Sequence, residues 1–167
     1  MQTVKICVSI DKKLVTTNLE RRIHMDKIYV IYWSQSGNTQ AMAEAVGKGI
    51  AAGGREAVVR RVEEVTAEEL RDAKCFALGC PAMGAESLEE SEMEPFVGEL
   101  ENFVAGKTLA LFGSYGWGGG QWMEDWADRM KESGASILNG AGVICPETPD
   151  DKVLLECEEL GRALASV

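Results

Sequence analysis

Short apolar runs alternate along this chain with segments in which apolar residues recur at helical spacing. Strands are predicted at residues 27 to 33, 56 to 62, 75 to 80, 108 to 113 and 135 to 144. Helices are predicted at about 38 to 52, 66 to 70, 92 to 104, 120 to 133 and 150 to 165. This order predicts a three-layer α/β fold, in which a doubly wound, five-stranded parallel sheet lies between two layers of helices.

The first predicted strand ends at a polar loop, Ser34 to Thr39, and the first helix begins inside that loop. A strand-loop-helix join directs backbone N–H groups and the positive end of the helix dipole at one point, which favours a phosphate. The loop has no Lys or Arg, and it matches neither Gly-x-x-x-x-Gly-Lys-Ser/Thr nor Gly-x-Gly-x-x-Gly. Neutral donors alone suit a terminal phosphate that is held and not transferred. The alternative is a helix start that is merely capped by Ser and Asn side chains.

Two other loops have unusual composition, and in a parallel sheet they should converge with the first loop beyond the carboxyl ends of the strands. Residues 81 to 87 follow the third strand, with Met83 as a polarisable apolar surface, Gly84 able to adopt a positive φ, and Glu86 as an acceptor. The alternative for this loop is a plain turn with a solvated acid.

Residues 114 to 120 follow the fourth strand and place Tyr115 and Trp117 among glycines. Such a ring on a loop usually has a binding partner, although Trp117 packing over the fourth helix is the alternative. Trp122 and Trp126 lie one helical turn apart and are assigned to core packing.

Composition and charge narrow the class of protein further. The 167 residues are 46% hydrophobic and 26% charged, as expected for one globular domain. The formal net charge is −10; residues 1 to 24 carry +3, so the remainder carries −13. Such a body repels nucleic acid and anionic lipid and attracts basic protein surfaces. The chain lacks a membrane-length apolar stretch of roughly 20 residues.

The five cysteines form no Cys-x-x-Cys pair, and His24 is the sole histidine, so we predict reduced core thiols, no metal site and a cytoplasmic location. Residues 1 to 24 are predicted to be a dispensable tail. The alternatives are an extra edge strand and upstream sequence translated from an early start codon, because the interpretable pattern begins at Met25.

Three ordered motifs, at residues 34 to 39, 79 to 84 and 112 to 118, give residues 25 to 167 a resemblance to a family. This part of the chain resembles the short-chain flavodoxins of strict anaerobes such as clostridia. The fifth strand leaves no room for the insertion of the long-chain members. The resemblance implies the strand order 2-1-3-4-5 and tightly bound FMN.

The resemblance also implies roles for individual residues. Hydroxyls of the first loop and Ser114 would hold the FMN phosphate, Met83 and Trp117 would cover the two faces of the flavin, and Glu86 would accept from the flavin N3–H. The backbone of Gly116 and its neighbours would meet the pyrimidine edge. The implied cofactor-binding set is Ser34, Gln35, Ser36, Gly37, Asn38, Thr39, Ala82, Met83, Gly84, Glu86, Ser114, Tyr115, Gly116, Trp117 and Gly118. Ala85 departs from the polar residue that relatives often carry there.

The function implied is that of a low-potential one-electron carrier, which shuttles between semiquinone and hydroquinone for cytoplasmic redox enzymes. A flip of the Gly84 carbonyl toward flavin N5 would stabilise the half-reduced state. An acidic rim would disfavour the fully reduced anion and orient the flavin edge toward basic partners in transient encounters, with the protein a monomer. That rim comprises Glu86, Glu89, Glu90, Glu92 and Glu94.

Two other classes of function are alternatives to this one. An FMN-dependent quinone or nitro reductase would need a nicotinamide site, which nothing in the sequence resembles. A low-molecular-weight phosphatase would need Cys-x5-Arg, but the sixth residue after Cys80 is Glu86.

Overall fold

The computed structural model describes residues 27–167, so the predicted tail at residues 1 to 24 lies outside the described residues. The strands are β1 (Lys27–Tyr32), β2 (Glu56–Arg61), β3 (Cys75–Gly79), β4 (Thr108–Tyr115), β5 (Ser136–Ile137) and β6 (Val143–Pro146). The α-helices are α1 (Asn38–Ala52), α2 (Met93–Leu100), α3 (Gln121–Glu132) and α4 (Asp151–Ala165). Three short 3-10 turns occupy Val62–Glu64, Ala67–Leu70 and Leu138–Gly140.

The strands form one parallel sheet in the order β2-β1-β3-β4-β5, and β6 also pairs with β4. The predicted α/β fold and strand order are confirmed. Tyr32 is in register with Gly79, and Gly79 with Phe112. The carboxyl ends of the three central strands therefore meet at one edge of the sheet, and the three unusual loops leave from that edge.

The prediction of one continuous fifth strand at residues 135 to 144 is wrong. The chain leaves the sheet after Ile137, makes a 3-10 turn, and returns to β4 at Val143. Asn139 (φ 61°) and Gly140 (φ 77°) are left-handed, a conformation that a strand cannot include. β5 and β6 therefore occupy a single position in the sheet, separated by a short excursion.

Most element ends agree with the prediction to within one residue, but β4 and α2 end two or more residues away from it. β4 continues through Tyr115, so Ser114 and Tyr115 belong to the strand and not to the loop that was predicted after residue 113. α2 ends at Leu100 and not at 104, although Val104 is still fully buried. The apolar pattern located the buried side chain correctly and the end of the helix incorrectly.

Alternate residues of each central strand face opposite layers of helices. In β1, Ile28 and Val30 pack with α1 and α4, whereas Tyr29 and Ile31 pack with α2 and α3. Because both faces of the sheet are covered, its central strands are apolar throughout. Trp122 and Trp126 are buried, which confirms their assignment to the core. No helix in residues 27–167 has both the length and the apolar character needed to cross a bilayer.

The α1 and α4 backbones cross in direct contact. A Cβ atom at Gly49 would overlap the carbonyl oxygen of Glu158, and one at Gly161 would overlap the carbonyl oxygen of Val46. The two glycines therefore set the separation of the helices that cover one face of the sheet.

Candidate functional site

A cavity of about 400 Å³ lies beyond the carboxyl ends of β1, β3 and β4. Its lining residues are Ser34, Gln35, Ser36, Asn38, Thr39, Pro81, Ala82, Met83, Ser114, Tyr115, Gly116, Glu147 and Thr148. The three loops thus converge as expected from the sequence. Five of the residues singled out in the sequence do not line this cavity: Gly37, Gly84, Glu86, Trp117 and Gly118.

The start of α1 is an uncapped helix terminus. Its N-cap residue is Gly37, which is left-handed (φ 91°), and no described side chain caps the helix. The Gly37 N–H instead donates to Ser34 Oγ at 3.1 Å, which closes the loop on itself. The alternative reading, a helix capped by its own Ser and Asn side chains, is therefore wrong. The N–H groups of the first turn are left for an anion.

Buried hydroxyl groups accompany this helix start. Ser34, Thr39 and Ser114 are buried, and in residues 27–167 the only other buried polar or charged residue is Glu89. Thr39 Oγ1 lies 3.2 Å from Ser114 Oγ, although the two residues are 75 positions apart. Burying a hydroxyl is unfavourable unless it is hydrogen-bonded. Three of them at one place indicate a pocket built to donate hydrogen bonds.

The loop after β3 forms a tight, closed turn. Met83 N–H donates to the Ser87 carbonyl at 2.8 Å, and Ser87 N–H donates back to the Met83 carbonyl at 2.9 Å. Between them, Gly84 (φ 51°) and Glu86 (φ 54°) are left-handed. The left-handed conformation strains a residue with a side chain, at a cost of about 1–2 kcal/mol at Glu86. The Ala82 N–H donates to the Ser114 carbonyl at 2.9 Å, which holds the start of this loop beside β4.

Glu86 links this turn to the aromatic loop. Its Oε1 atom accepts a hydrogen bond from the Gly119 N–H at 3.0 Å. A Cβ atom at Gly118 would displace the Glu86 carboxylate, and the left-handed backbone of Gly118 (φ 93°) also favours glycine at this contact. The neighbouring Trp117 side chain is 66% exposed. Packing of Trp117 over α3 is therefore not seen, and its ring is available at the rim of the site.

The sequence reading missed three lining residues, Pro81, Glu147 and Thr148. Glu147 (φ 54°) follows β6, and its N–H donates to the Tyr115 carbonyl at 2.7 Å, which places the loop after the fifth strand beside the other three. The rule that ligand loops follow strand ends could have indicated this loop. The composition of residues 145 to 149 gives no separate signal of binding, because an acid and a threonine after a strand are ordinary in an acidic protein.

Glu89 has a structural role that its place in a run of acids conceals. Its carboxylate accepts from the backbone N–H groups of Ser91 (2.8 Å), Glu92 (2.8 Å) and Met93 (3.1 Å) at the start of α2. Burial raises the pKa of Glu89, but the hydrogen bonds from Met93, Glu92 and Ser91 lower it by more. The pKa of Glu89 therefore lies below its usual value of 4.5.

The acidic rim is consequently smaller than the sequence suggested. Glu94 is paired with Arg129, with Nη1 at 2.7 Å from Oε1, and its charge is compensated locally. Glu90 and Glu92 are exposed, and Glu86 is half-buried. These three carboxylates make no ion pair among residues 27–167, and Glu147 adds a carboxylate to the cavity lining itself. The cavity lining itself contains no Lys, Arg or His.

The geometry defines a class of protein: a doubly wound α/β domain whose cavity lies beyond the carboxyl ends of its central strands, beside an uncapped helix start. Comparison with known proteins gives the family. Residues 30–160 match the sequence model of the family Flavodoxin. A flavodoxin of Clostridium beijerinckii is 42% identical over 144 residues, covering 83% of this chain and 99% of the relative. A flavodoxin of Megasphaera elsdenii is 41% identical over 138 residues, covering 83% and 98%.

The fold comparison agrees with the sequence comparison. The solution structure of two-electron reduced Megasphaera elsdenii flavodoxin matches with a TM-score of 0.77 at 40% identity, covering 84% of this chain and 99% of that one. The anaerobic nitric oxide reductase flavorubredoxin of Vibrio vulnificus is 29% identical over 150 residues, but this chain spans only 29% of its length.

The chain belongs to the flavodoxin family, and the resemblance stated from its motifs is confirmed. Flavodoxins are electron-transfer proteins rather than enzymes. This protein is an FMN-based electron carrier.

Proposed function

We propose that the cavity beyond β1, β3 and β4 holds the FMN, and that the protein carries single electrons to basic partner proteins without catalysing a reaction of its own. The single observation that carries this proposal is the uncapped start of α1 beside three buried hydroxyls, at the same edge as Met83 and Trp117. One end of this site suits a phosphate, and the other suits an aromatic ring.

The phosphate end would work without a charged side chain in the lining. The N–H groups that follow Gly37 carry the partial positive charge of the helix dipole, and the Ser34, Thr39 and Ser114 hydroxyls can rotate to donate. Gln35, Ser36 and Asn38 complete the wall. Because no cation of the lining neutralises it, the phosphate would keep its negative charge close to the flavin and disfavour further negative charge there.

The ring end combines a fixed surface with an exposed one. Met83 lines the cavity from the closed turn, and Trp117 stands at the rim with most of its surface in water. Stacking against a flavin would remove this apolar surface from water. Glu86 uses one oxygen for the Gly119 N–H, and a carboxylate has further lone pairs with which to accept the flavin N3–H.

The bound FMN supplies the redox chemistry, and the turn at Gly84 would adjust a hydrogen bond to it. A Cβ atom at Gly84 would meet nothing closer than Ser87 Oγ at 3.9 Å, so the peptide has space around it. Glycine accepts positive and negative φ alike, which lets the Gly84 carbonyl reorient without a steric cost. A net hydrogen bond of about 1 kcal/mol shifts a one-electron potential by tens of millivolts.

Charge would select the partners. Residues 25 to 167 carry −13, Glu147 lines the cavity, and Glu86 lies in the closed turn that follows β3, with Glu90 and Glu92 a few residues further along the chain. Such a surface favours fast, short-lived and salt-sensitive encounters with basic proteins. The thiols of Cys75, Cys80, Cys145 and Cys157 are free and buried, which supports a reducing, cytoplasmic compartment. We expect the protein to act as a monomer and residues 1 to 24 to lie outside the FMN-binding domain.

A stepwise dithionite titration under argon tests this function. We expect flavin absorbance bands and, at half-reduction, a new long-wavelength band from flavin that holds one electron. Direct two-electron bleaching by NAD(P)H, with turnover of a quinone or nitroaromatic compound, would instead establish a reductase. A protein that stays colourless after incubation with FMN would contradict the site itself.

A further inference from the structure

Arg61, the last residue of β2, lies against the loop that begins the site. It is in register with Tyr32, the last residue of β1, and its guanidinium carbon lies 5.8 Å from the centroid of the Tyr32 ring. Arg61 Nη2 donates to the Ser34 carbonyl at 3.2 Å and lies 3.1 Å from Glu63 Oε1. The guanidinium thus bridges the end of one strand and the first residue of the next loop.

The hydrogen bond to Ser34 fixes the orientation of a peptide. In a planar trans peptide the carbonyl oxygen and the following N–H point in opposite directions. Because the Ser34 carbonyl points toward Arg61, the Gln35 N–H points away from Arg61. Arg61 does not line the cavity and Gln35 does, so this N–H is turned toward the side where an anion would lie.

The rest of the loop depends on this anchor. Ser34 is held twice, through its carbonyl by Arg61 and through its hydroxyl by the Gly37 N–H. Gln35 and Ser36, which follow it, are exposed although they line the cavity. Without the guanidinium, the Ser34 carbonyl would lose this hydrogen bond, and the Ser34–Gln35 peptide would be held less firmly in its orientation.

Arg61 also supplies charge that the lining lacks. A cation behind the loop favours an anion in front of it, although Glu63 offsets part of the field. The preceding residue, Arg60, points to the other face of the strand, where its guanidinium lies 3.7 Å from Glu69. The two neighbouring arginines therefore have the same charge but different positions relative to the loop.

We propose that Arg61 is a positioning residue for the phosphate: it orients the Ser34–Gln35 peptide and places a positive charge behind the phosphate loop. This inference rests on the proposed placement of the FMN phosphate at that loop. It assigns to β2 a part in cofactor recognition that the sequence motifs do not include.

The test compares FMN with riboflavin, which has the same ring but no phosphate. Flavin-free, full-length protein is titrated with each ligand, and the Kd is measured from quenching of flavin fluorescence for the wild type, Arg61→Gln, Arg61→Lys and Arg60→Gln. We expect Arg61→Gln to weaken FMN binding about tenfold, with riboflavin binding changed less than twofold. Arg60→Gln removes the same charge one residue away and should leave both constants within twofold.

Each outcome bears on the proposal. Equal losses for FMN and riboflavin in Arg61→Gln would reveal a general structural role and overturn it, as would no loss for either ligand. Full recovery of FMN affinity by Arg61→Lys would overturn the orienting role, because an ammonium keeps the charge without the planar fork. A wild type that binds both ligands equally would refute the phosphate site itself. A strong wild-type preference for FMN that survives in Arg61→Gln would refute only the role of Arg61.

Discussion

Trp117 has the most exposed large apolar side chain among the residues that the structure describes. At 66% exposed it leaves more of its surface in water than the other large exposed apolar residues, Leu155 (52%) and Val167 (50%), among those that the structure describes. Its loop has glycines on both sides and a carboxylate contact at Gly119, so the backbone is held while the ring is not buried. A ring in this setting gains free energy when a flat ligand covers it.

We therefore predict that Trp117→Ala speeds FMN release without abolishing binding. Loss of an aromatic stacking partner costs about 1–1.5 kcal/mol, which corresponds to roughly a tenfold faster off-rate. The rate can be measured by stopped-flow fluorescence as released FMN is trapped by excess apoprotein of a second flavodoxin. Leu155→Ala truncates an exposed apolar residue on α4 and serves as the control. Equal off-rates for Trp117→Ala and the wild type would remove Trp117 from the site.

At this scale the sequence revealed residues whose type is unusual for their place. Ser34 and Thr39 stand out as hydroxyls between a buried strand and a helix, and Trp117 as an aromatic residue among glycines. Glu147 did not stand out, because an acid after a strand is ordinary in an acidic protein. Arg61 did not either, since its contact with Ser34 joins residues 27 positions apart through the pairing of two strands.

At the scale of elements, α2 depends on Glu89 for its start. Three backbone N–H groups share this one carboxylate, and no side chain at residue 92 caps the helix. Because the folded-state pKa lies below the usual 4.5, the stabilisation is fully present above about pH 5. It is lost as the pH falls through the folded-state pKa.

Glu89→Gln should lower the free energy of unfolding at pH 7 by about 1–2 kcal/mol, because an amide oxygen replaces a charged acceptor. The difference from the wild type should shrink as the pH falls below 4.5. Urea unfolding at a series of pH values measures both effects. Glu90→Gln removes the same charge from an exposed neighbour and should change stability by less than about 0.5 kcal/mol. A difference that grows toward low pH would contradict the assigned direction of the pKa shift.

The close crossing of α1 and α4 leads to a second prediction, which concerns the stability of the fold. Gly161→Ala should destabilise the fold by about 2 kcal/mol or more, since the added methyl group overlaps the Val46 carbonyl oxygen and the helices must move apart. Gly98→Ala, within α2, is the matched control because a Cβ atom there meets nothing within 4 Å. It should stabilise the protein by about 0.5–1 kcal/mol through helix propensity. Thermal melts give the melting temperature of each variant. A change of the same sign in the two melting temperatures would contradict the close crossing of α1 and α4.

The burial of each element explains whether it could be predicted from the sequence. β1, β3 and β4 are buried on both faces, and continuous apolar runs identify them without tertiary information. The β5–β6 break had a signal that the predicted strand passed over, because Asn139-Gly140 is a dipeptide typical of tight turns and both residues are left-handed. The charged residues Glu56, Arg60 and Arg61 of β2 agree with its place at an edge of the sheet.

On the scale of the whole molecule, charge is unevenly distributed along the chain. Residues 1 to 24 carry +3 and residues 25 to 167 carry −13, and the family match covers residues 30–160. Both core clusters of the described part use residues between Ile28 and Ala165. In residues 27–167, β2 forms one edge of the sheet and β5 with β6 forms the other, so a further strand could pair beside β2.

We predict that a protein starting at Met25 keeps the melting temperature and the FMN affinity of the full chain. The sheet, both helical layers and every proposed ligand contact lie after this residue, so removal of the basic segment should cost little. A fall of several degrees at low salt would mean that the segment is part of the fold, since 1 kcal/mol corresponds to about 2–4 °C for a domain of this size. Repeating the melt at about 0.5 M salt distinguishes the two possible causes of such a fall, electrostatic attraction and strand pairing. Attraction between a basic segment and an acidic body would be screened, whereas the loss of an edge strand beside β2 would persist.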